Sequence, residues 1–367
     1  MIIAITGGGS AGHVVPALSV AAQLTAQGAN ELVYFGRKGS IENEYADKAH
    51  IRFCSVPSAG LTRYRSLGNL RMPFTVLRGI GAAWRAMGRE RPDVVFSKGG
   101  YVTVPVGIAA WLRRVPVVIH ESDHSLGLAN RILARMATRV CLSEPAGQTT
   151  PRWLARKTVV TGLPLRHDLA EGNPDRLRSR LGIAAGAEVL LVFGGSSGSD
   201  RINDAVRSQL DKLRSRFAVI HLCGQGKRDP SLDNASGYWQ FEYLHEEMPD
   251  ALWLADLVIG RAGATTLAEL ETLGTRAVLI PLPASVSRGD QLVNVEAYAR
   301  RQEGRCLVVH DDQALTGGAV LTDAVFHLAD APVESRRPDP NATHEAAGRI
   351  AQETLAAARP RRQRPGL

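Results

Sequence analysis

Short apolar runs alternate with longer stretches of helical periodicity along the whole chain. In the first half the runs are "MIIAIT", "ELVYFG", "DVVFSKGG", "PVVIH", "RVCLS" and "KTVVTG". In the second they are "EVLLVFGG", "FAVIHLCG", "QFEYL", "LADLVIG", "RAVLIPL" and "GRCLVVH". Strands separated by helices predict βαβ units and mainly parallel sheets, so both halves read as α/β. The halves also begin alike: "IIAITGGGSAGHVVPALSVAAQL" and "EVLLVFGGSSGSDRINDAVRSQL" each predict a strand, a glycine-serine turn and a helix. The spacing is that of a duplicated domain rather than a short solenoid repeat.

A length of 367 residues fits two domains. Glycine, proline and charge accumulate in "VVTGLPLRHDLAEGNP", which places a hinge near 163–168. The expected division is 1–163, 164–340, a helix over 341–357 that packs back on the first domain, and a basic tail over 358–367 expected to be disordered. The four cysteines are scattered, which disfavours a disulfide framework or a zinc site and fits a reducing compartment. No apolar run reaches the ~18 residues of a membrane span, and no leader pattern precedes the first strand. The expectation is a cytoplasmic protein. The formal charge of +8 favours a polyanionic partner. No aromatic-basic interleaving of the nucleic-acid kind stands out, so none is expected there.

Three loops carry candidate chemistry. Gly7, Gly9 and Gly12 follow the first strand as G-x-G-x-x-G, so a dinucleotide site is weighed first. The second strand ends in Phe35, Gly36 and Arg37 rather than an acidic residue, which disfavours NAD and leaves NADP a poor second. His13 tips the balance toward chemistry at the loop itself, since it sets an ionisable group in the first turn of the helix; the alternative is a capping or packing histidine. The second loop, "FGGSSGSDRIN", offers Ser196, Ser197, backbone N–H groups and a helix N-terminus to a phosphate, or is an ordinary tight turn. The third, "GRAGATTLAELETLG", sets Arg261, Thr265 and Thr266 at a helix start with Glu269 on the same face, as suits a phosphate at one end and a ribose diol at the other. There is no D-x-D pair to hold a divalent ion, and no metal or cofactor is expected.

Linked in order, "GGGSAGHVVP", "DVVFSKGGYVTVP", "HESDHSLGLAN", "GLPLR", "VFGGSSGSDRIN", "GRAGATTLAE" and "SRGDQLVN" resemble the MurG family of N-acetylglucosaminyltransferases, which convert lipid I to lipid II in peptidoglycan synthesis. The resemblance spans nearly the whole chain. It implies a GT-B fold, α/β with two Rossmann-like domains facing across a cleft. The acceptor would lie in the N-terminal half and the donor, UDP-N-acetylglucosamine, in the C-terminal half. Carried over residue by residue, Gly8, Gly9, Ser10, Gly12 and Tyr101 would face the undecaprenyl-diphosphate-linked muramyl peptide. His13 and Glu121 are the catalytic candidates. Arg166, Ser196, the backbone near His245, Arg261, Ala264, Thr265, Thr266, Glu269, Asp290 and Gln291 would hold the donor, with Asp123 and Asn130 closing its sugar side. The chain departs from the family's common pattern at Ser10, Leu163 and Gly260, and in "HESD" where many members have "HEQN".

The stretch 61–91 is expected to meet an anionic membrane at the inner face of the plasma membrane. Leu77, Ile80, Trp84 and Met87 share one helical face, expected to pack on the sheet. Arg78, Arg85 and Arg89 line the opposite face, with Leu67, Leu70, Arg71, Met72 and Phe74 just upstream.

Overall fold

Runs such as "IIAIT", "VVFS" and "LVIG" are apolar at every position because parallel strands covered on both faces have no solvent side. The computed structural model describes residues 1–59, 68–145, 151–195, 197–285, 287, 289–332, 338–339 and 342–358, with only the backbone of 68–71 and 342–343. Leu67, Ser196 and most of the expected tail therefore lie outside the described residues, as do the side chains of Leu70 and Arg71.

Thirteen strands are described: β1 Ile2–Thr6, β2 Glu31–Gly36, β3 Arg52–Ser55, β4 Val94–Ser97, β5 Val117–Glu121, β6 Arg139–Leu142, β7 Thr158–Val160, β8 Glu188–Phe193, β9 Phe217–Leu222, β10 Tyr238–Phe241, β11 Leu257–Gly260, β12 Arg276–Leu279 and β13 Cys306–Val308. The chain divides into two compact units. Met1–His167 with Ala342–Leu367 forms the first, and Asp168–Asn341 the second.

The first unit holds a seven-stranded sheet in the order β3-β2-β1-β4-β5-β6-β7. Every pairing in it is parallel. Helix Ala11–Ala26 and the C-terminal helix Ala342–Ala357 cover one face, where Ile3, Ile5, Val20, Leu24 and Phe96 meet Ala347, Ile350 and Ala351. Helices Gly68–Glu90, Thr103–Leu112 and Leu128–Leu133 cover the other, closing over Val33, Val95, Ile119 and Val140. The second unit repeats the scheme with six parallel strands in the order β10-β9-β8-β11-β12-β13.

Two details differ from the sequence expectation. Strand β3 was not anticipated: "RFCS" is a four-residue edge strand whose Arg52 and Ser55 are exposed, too short and too polar to show as an apolar run. The run expected at "QFEYL" is displaced toward the N-terminus, because Tyr238 is buried together with Gln240 and its hydroxyl pairs with His221 Nδ1 at 2.9 Å.

In each unit the strand order reverses between the first strand and its crossover neighbour: β1 and β4 in one, β8 and β11 in the other. A crevice opens beyond the C-terminal ends of such a pair. The loops there touch backbone to backbone. A Cβ on Gly100 (φ +89°) would lie 2.1 Å from the Gly8 carbonyl oxygen, and one on Gly198 (φ +67°) would lie 1.9 Å from that of Cys223. By contrast, Gly226 has φ +69° but no neighbour within 4 Å. Gly198→Ala is expected to cost more than about 3 kcal/mol, through steric overlap added to left-handed strain, and Gly226→Ala only about 1 kcal/mol. Urea unfolding of the full chain compares the two; equal losses would mean that the close approach relaxes freely.

Candidate active site

The first switch point brings together the turn after β1 and the loop after β4. Lys98 N donates to Thr6 O at 2.8 Å and Gly8 N to Gly99 O at 3.3 Å. His13 stands half-buried in the first turn of helix Ala11–Ala26, against the glycine pair: Cβ atoms built on Gly100 and Gly99 would lie 3.2 Å from its Cδ2 and 3.7 Å from its Cε1. Ser10, at the N-cap, makes no side-chain cap, and its carbonyl accepts His13 N at 3.1 Å. Tyr101 borders the turn, its ring 2.8 Å from a Cβ built on Gly9. Gly12 is exposed. Glu42, fully buried, braces the turn from below, accepting Gly9 N at 3.4 Å and Arg37 N at 3.1 Å.

Glu121 ends β5 with its carboxylate turned to the loop that follows. One carboxylate oxygen accepts Ser122 N (2.9 Å) and Asp123 N (3.2 Å), and the other accepts Gly127 N (2.7 Å) and Asn130 Nδ2 (3.0 Å). With four donors on a buried carboxylate, Glu121 shapes the loop 122–130. Asn130 is itself buried. Its Nδ2 also donates to His120 O at 2.9 Å, while its Oδ1 has no hydrogen-bond partner, and Thr6 Oγ1, Ser97 Oγ and His120 Nδ1 nearby in the sheet are likewise buried and unpartnered. Such a group of unmet polar atoms at a strand-end crevice fits a polar guest.

Lys98 is the residue that reading the sequence missed. It is 1 % exposed, and its ammonium donates to Ser122 Oγ. Burial lowers it to about 8 against the opposing pull of Glu121 and Asp123. The signal was a lysine in an apolar run directly before two glycines, "FSKGG". Arg166 is buried and, with Asp123 and Asn130, belongs to the first unit.

At the second switch point Ser199 caps helix Asp200–Ser208, accepting Ile202 N at 3.5 Å. Arg261, 8 % exposed, donates to Ser199 Oγ at 2.7 Å and Ile280 O at 3.2 Å, and pairs with Asp311 at 2.7 Å. Asp311 also pairs with Arg201. Arg261 was expected to line the donor diphosphate; in the structure its guanidinium fastens the strand-end loops of this unit to one another. The open donors are those of helix Ala264–Leu273, which starts after Gly263 with no side-chain cap and carries half-exposed Ala264, Thr265 and Thr266 in its first turn. Glu269 lies buried one turn on. Gln291 Oε1 accepts Leu282 N at 2.9 Å, one residue after Asp290 opens its helix. His245 is exposed, its ring 4.7 Å from that of Tyr243. Beneath the second loop Asn203 Nδ2 donates to Cys223 O, and Asn203 Oδ1 meets His221 Nε2. Burial holds that histidine down at about 3.

Helix Gly68–Glu90 does not turn its apolar stripe wholly inward. Met87 is buried and Ile80 partly so, but Leu77 (64 %) and Trp84 (45 %) are exposed, as is Phe74 (71 %). Met72 is half-buried, and Arg78 and Arg85 are exposed. Arg113 stacks on the Trp84 ring at 3.8 Å, and Trp111 and Leu112 beside it are exposed too. Among the described residues no helix is long and apolar enough to cross a membrane, and no cluster of three His, Cys, Asp or Glu side chains could hold a metal.

Residues 3–142 match the glycosyltransferase family 28 N-terminal domain, and residues 189–352 its C-terminal domain. A relative from Clostridium perfringens, named UDP-N-acetylglucosamine--N-acetylmuramyl-(pentapeptide) pyrophosphoryl-undecaprenol N-acetylglucosamine transferase, is 44% identical over 311 residues, covering 85% of this chain and 86% of its own. A Bacillus cereus relative of the same name with the suffix 2 is 42% identical over 311 residues, 84% of this chain and 87% of its own. The crystal structure of Acinetobacter baumannii MurG superposes with a TM-score of 0.63 at 27% identity, covering 98% and 96% of the two chains. This chain belongs to the MurG family of glycosyltransferases. Its two parallel-sheet domains are the GT-B fold of that family. The fold alone is shared more widely: UDP-GlcNAc 2-epimerase from Neisseria meningitidis, bound to UDP-GlcNAc, gives a TM-score of 0.68 at 13% identity over 97% and 100% of the chains.

For a MurG-family chain, the packing of Glu121 makes a direct prediction. In Glu121→Gln the amide nitrogen must face two of the four N–H donors, leaving them buried and unmet. The expected loss is about 2–4 kcal/mol in urea unfolding. A loss below about 0.5 kcal/mol would remove the bracing role.

Proposed function

We propose that the chain moves N-acetylglucosamine from UDP-N-acetylglucosamine to the 4-hydroxyl of the muramyl residue of lipid I, forming lipid II and UDP by one inverting displacement. The observation that carries this reading is His13, set in a helix first turn against Gly99 and Gly100 at the strand-end crevice of the first unit. The relatives' printed names supply the two substrates. In the reaction the acceptor hydroxyl oxygen bonds to the anomeric carbon, His13 takes the hydroxyl proton, and the bond to the diphosphate oxygen breaks with its electron pair leaving on UDP. First-turn N–H groups of helix Ala11–Ala26 receive the acceptor diphosphate, beside Gly8, Gly9 and Tyr101. In the second unit the loop at 194–199 and the first turn at Ala264, Thr265 and Thr266 receive the donor diphosphate, and Glu269 accepts the ribose hydroxyls. Arg261 works one step back, by fixing the Ser199 loop. Asp290 and Gln291 stand at a helix start for the donor sugar. Dipoles supply the charge stabilisation in this scheme, and a metal ion has no part in it.

Purified protein incubated with UDP-N-acetylglucosamine and a lipid I analogue, with and without EDTA, tests the reading. Acceptor-dependent UDP release that survives EDTA, with a β-linked product, is expected. UDP release without acceptor would point to a hydrolase, loss of the C2 configuration to an epimerase, and binding without turnover to a regulator. His13→Ala is expected to lower turnover by roughly 10²–10⁴-fold, with UDP affinity unchanged by calorimetry. Near-normal turnover in the folded variant would make His13 structural.

The lipid-linked acceptor calls for a membrane docking face on the first unit. Phe74, Leu77 and Trp84 standing exposed among Arg78 and Arg85 support one. Each basic side chain near an anionic leaflet contributes about 1 kcal/mol. Replacing Arg71, Arg78 and Arg85 together with glutamate is expected to abolish co-sedimentation with phosphatidylglycerol vesicles and to leave transfer to a short-chain soluble acceptor intact. Unchanged sedimentation would move the membrane face elsewhere.

A further inference from the structure

At the second switch point a polar side-chain contact runs across the strand ends. Ser199 closes the loop after β8, Arg261 directly follows β11, and those strands are neighbours, so the 2.7 Å bond from Arg261 Nη2 to Ser199 Oγ lies where the strand order reverses. A serine hydroxyl accepts two hydrogen bonds and donates one. Ser199 Oγ accepts from Arg261 and, as the helix N-cap, from Ile202 N at 3.5 Å, which takes both lone pairs. Its own hydrogen has no acceptor among the described residues. The serine is 8 % exposed and packs against the end of β8, where a Cβ built on Gly194 would lie 2.6 Å from the Ser199 Cβ.

Arg261 is held on this serine by Asp311, in the loop after β13. The Asp311 side chain is 5 % exposed and pairs with Arg261 Nη1 at 2.7 Å and with Arg201 Nε. Arg201 stands in the first turn of helix Asp200–Ser208 and also donates to Asp312 O. The same segment is fastened to the far end of that helix. Ser208 Oγ and Gln209 Nε2 each donate to Gly317 O at 2.9 Å, and a Cβ on Gly318 would lie 2.0 Å from Ala205 O. The neighbouring carboxylates are engaged elsewhere: Asp312 accepts Ala314 N at 2.8 Å, and exposed Asp200 pairs with Lys227 at 3.1 Å. A guanidinium carries its donors in a rigid plane, so with Nη1 held by Asp311 and by Ile280 O the place of Nη2 is set as well.

We propose that Asp311 is a positioning residue for the donor diphosphate: through Arg261 it fixes the Ser199 hydroxyl with both lone pairs filled, so that the serine O–H donates a hydrogen bond to a diphosphate oxygen. This rests on the reading of the second unit as the site of the nucleotide donor. An oxygen that accepts from a cation and from an amide is polarised toward giving its own hydrogen, and an anionic acceptor makes that bond charge-assisted. The contact therefore discriminates: it forms with a nucleoside diphosphate and is missing with the nucleoside alone.

The test measures UDP binding to the full chain by calorimetry and uridine binding by ligand-observed NMR titration. Ser199→Ala is expected to weaken UDP roughly 10–100-fold, the loss of one hydrogen bond to a charged group, with uridine unchanged. Ser199→Thr keeps the hydroxyl and is expected to bind UDP within about three-fold of the wild type. Asp311→Asn is expected to weaken UDP roughly 3–10-fold, again with uridine unchanged. The double variant is expected to bind UDP no more weakly than Ser199→Ala, because the aspartate acts through the serine. UDP binding unchanged in Ser199→Ala, or equal losses for UDP and uridine, overturns the hydroxyl contact, and additive losses in the double variant overturn the route from Asp311 through it. Should Asp311→Asn fail to fold, Asp311→Glu, which keeps the charge and displaces the guanidinium, replaces it with the same expected pattern. A wild type that binds no UDP removes the reading of the second unit as donor site and the proposal with it, whereas UDP binding indifferent to Ser199 overturns the proposal and leaves that reading standing.

Discussion

Everything at the two candidate sites depends on backbone meeting backbone at the ends of the central strands. Gly100 approaches the Gly8 carbonyl and Gly198 the Cys223 carbonyl so closely that no side chain fits between them. That contact fixes how far apart the strand-end loops sit, and hence where the helix first turns point. A crevice between parallel strands exists wherever strand order reverses, but its depth is set by the loops that line it. Here glycine lets those loops meet backbone to backbone.

Loops held only by close approach would still be free to slide, and each unit adds a buried charged side chain that prevents this. In the first, the Glu121 carboxylate gathers Ser122, Asp123, Gly127 and Asn130. In the second, the Arg261 guanidinium gathers Ser199, Ile280 and Asp311. The signs are opposite and the logic is the same: a multidentate ion satisfied by several partners is costly to displace, so the loop geometry survives thermal motion. Both residues sit in motifs of the family. In the structure Glu121 gathers the loop after β5, and Arg261 ties several strand-end loops to one another.

How much of this was legible follows from what sequence patterns encode. The sheets were legible because buried parallel strands are apolar throughout, and the glycine turns because their spacing after a strand has few other uses. Edge strand β3 was not, since a short edge strand is half polar by necessity. Lys98 was not, because a lysine at the end of an apolar run looks like the solvated end of a strand, and only its burial and its bond to Ser122 mark it. The stripe of Leu77, Ile80, Trp84 and Met87 had helical spacing, yet the buried face of helix Gly68–Glu90 runs through Gly79, Ala83, Ala86 and Met87, so Leu77 and Trp84, rotated to the side of it, stand in solvent. Periodicity gives a stripe; it does not give which edge of that stripe is covered.

The two units share a topology and differ in the chemistry of their buried polar groups. In the first, burial lowers Lys98 to about 8 against the opposing pull of Glu121 and Asp123, and holds His120 well below the usual imidazole range. In the second, the buried histidine, His221, is locked between Asn203 and Tyr238 and pushed to about 3, so it carries no proton to give or take across the physiological range. Both units thus bury a histidine that stays neutral beneath the strand ends. They differ in the cation at those strand ends: a lysine tied to Ser122 in the first, an arginine tied to Ser199 and Asp311 in the second. The same strand order therefore carries two crevices whose floors are fastened by different chemistry.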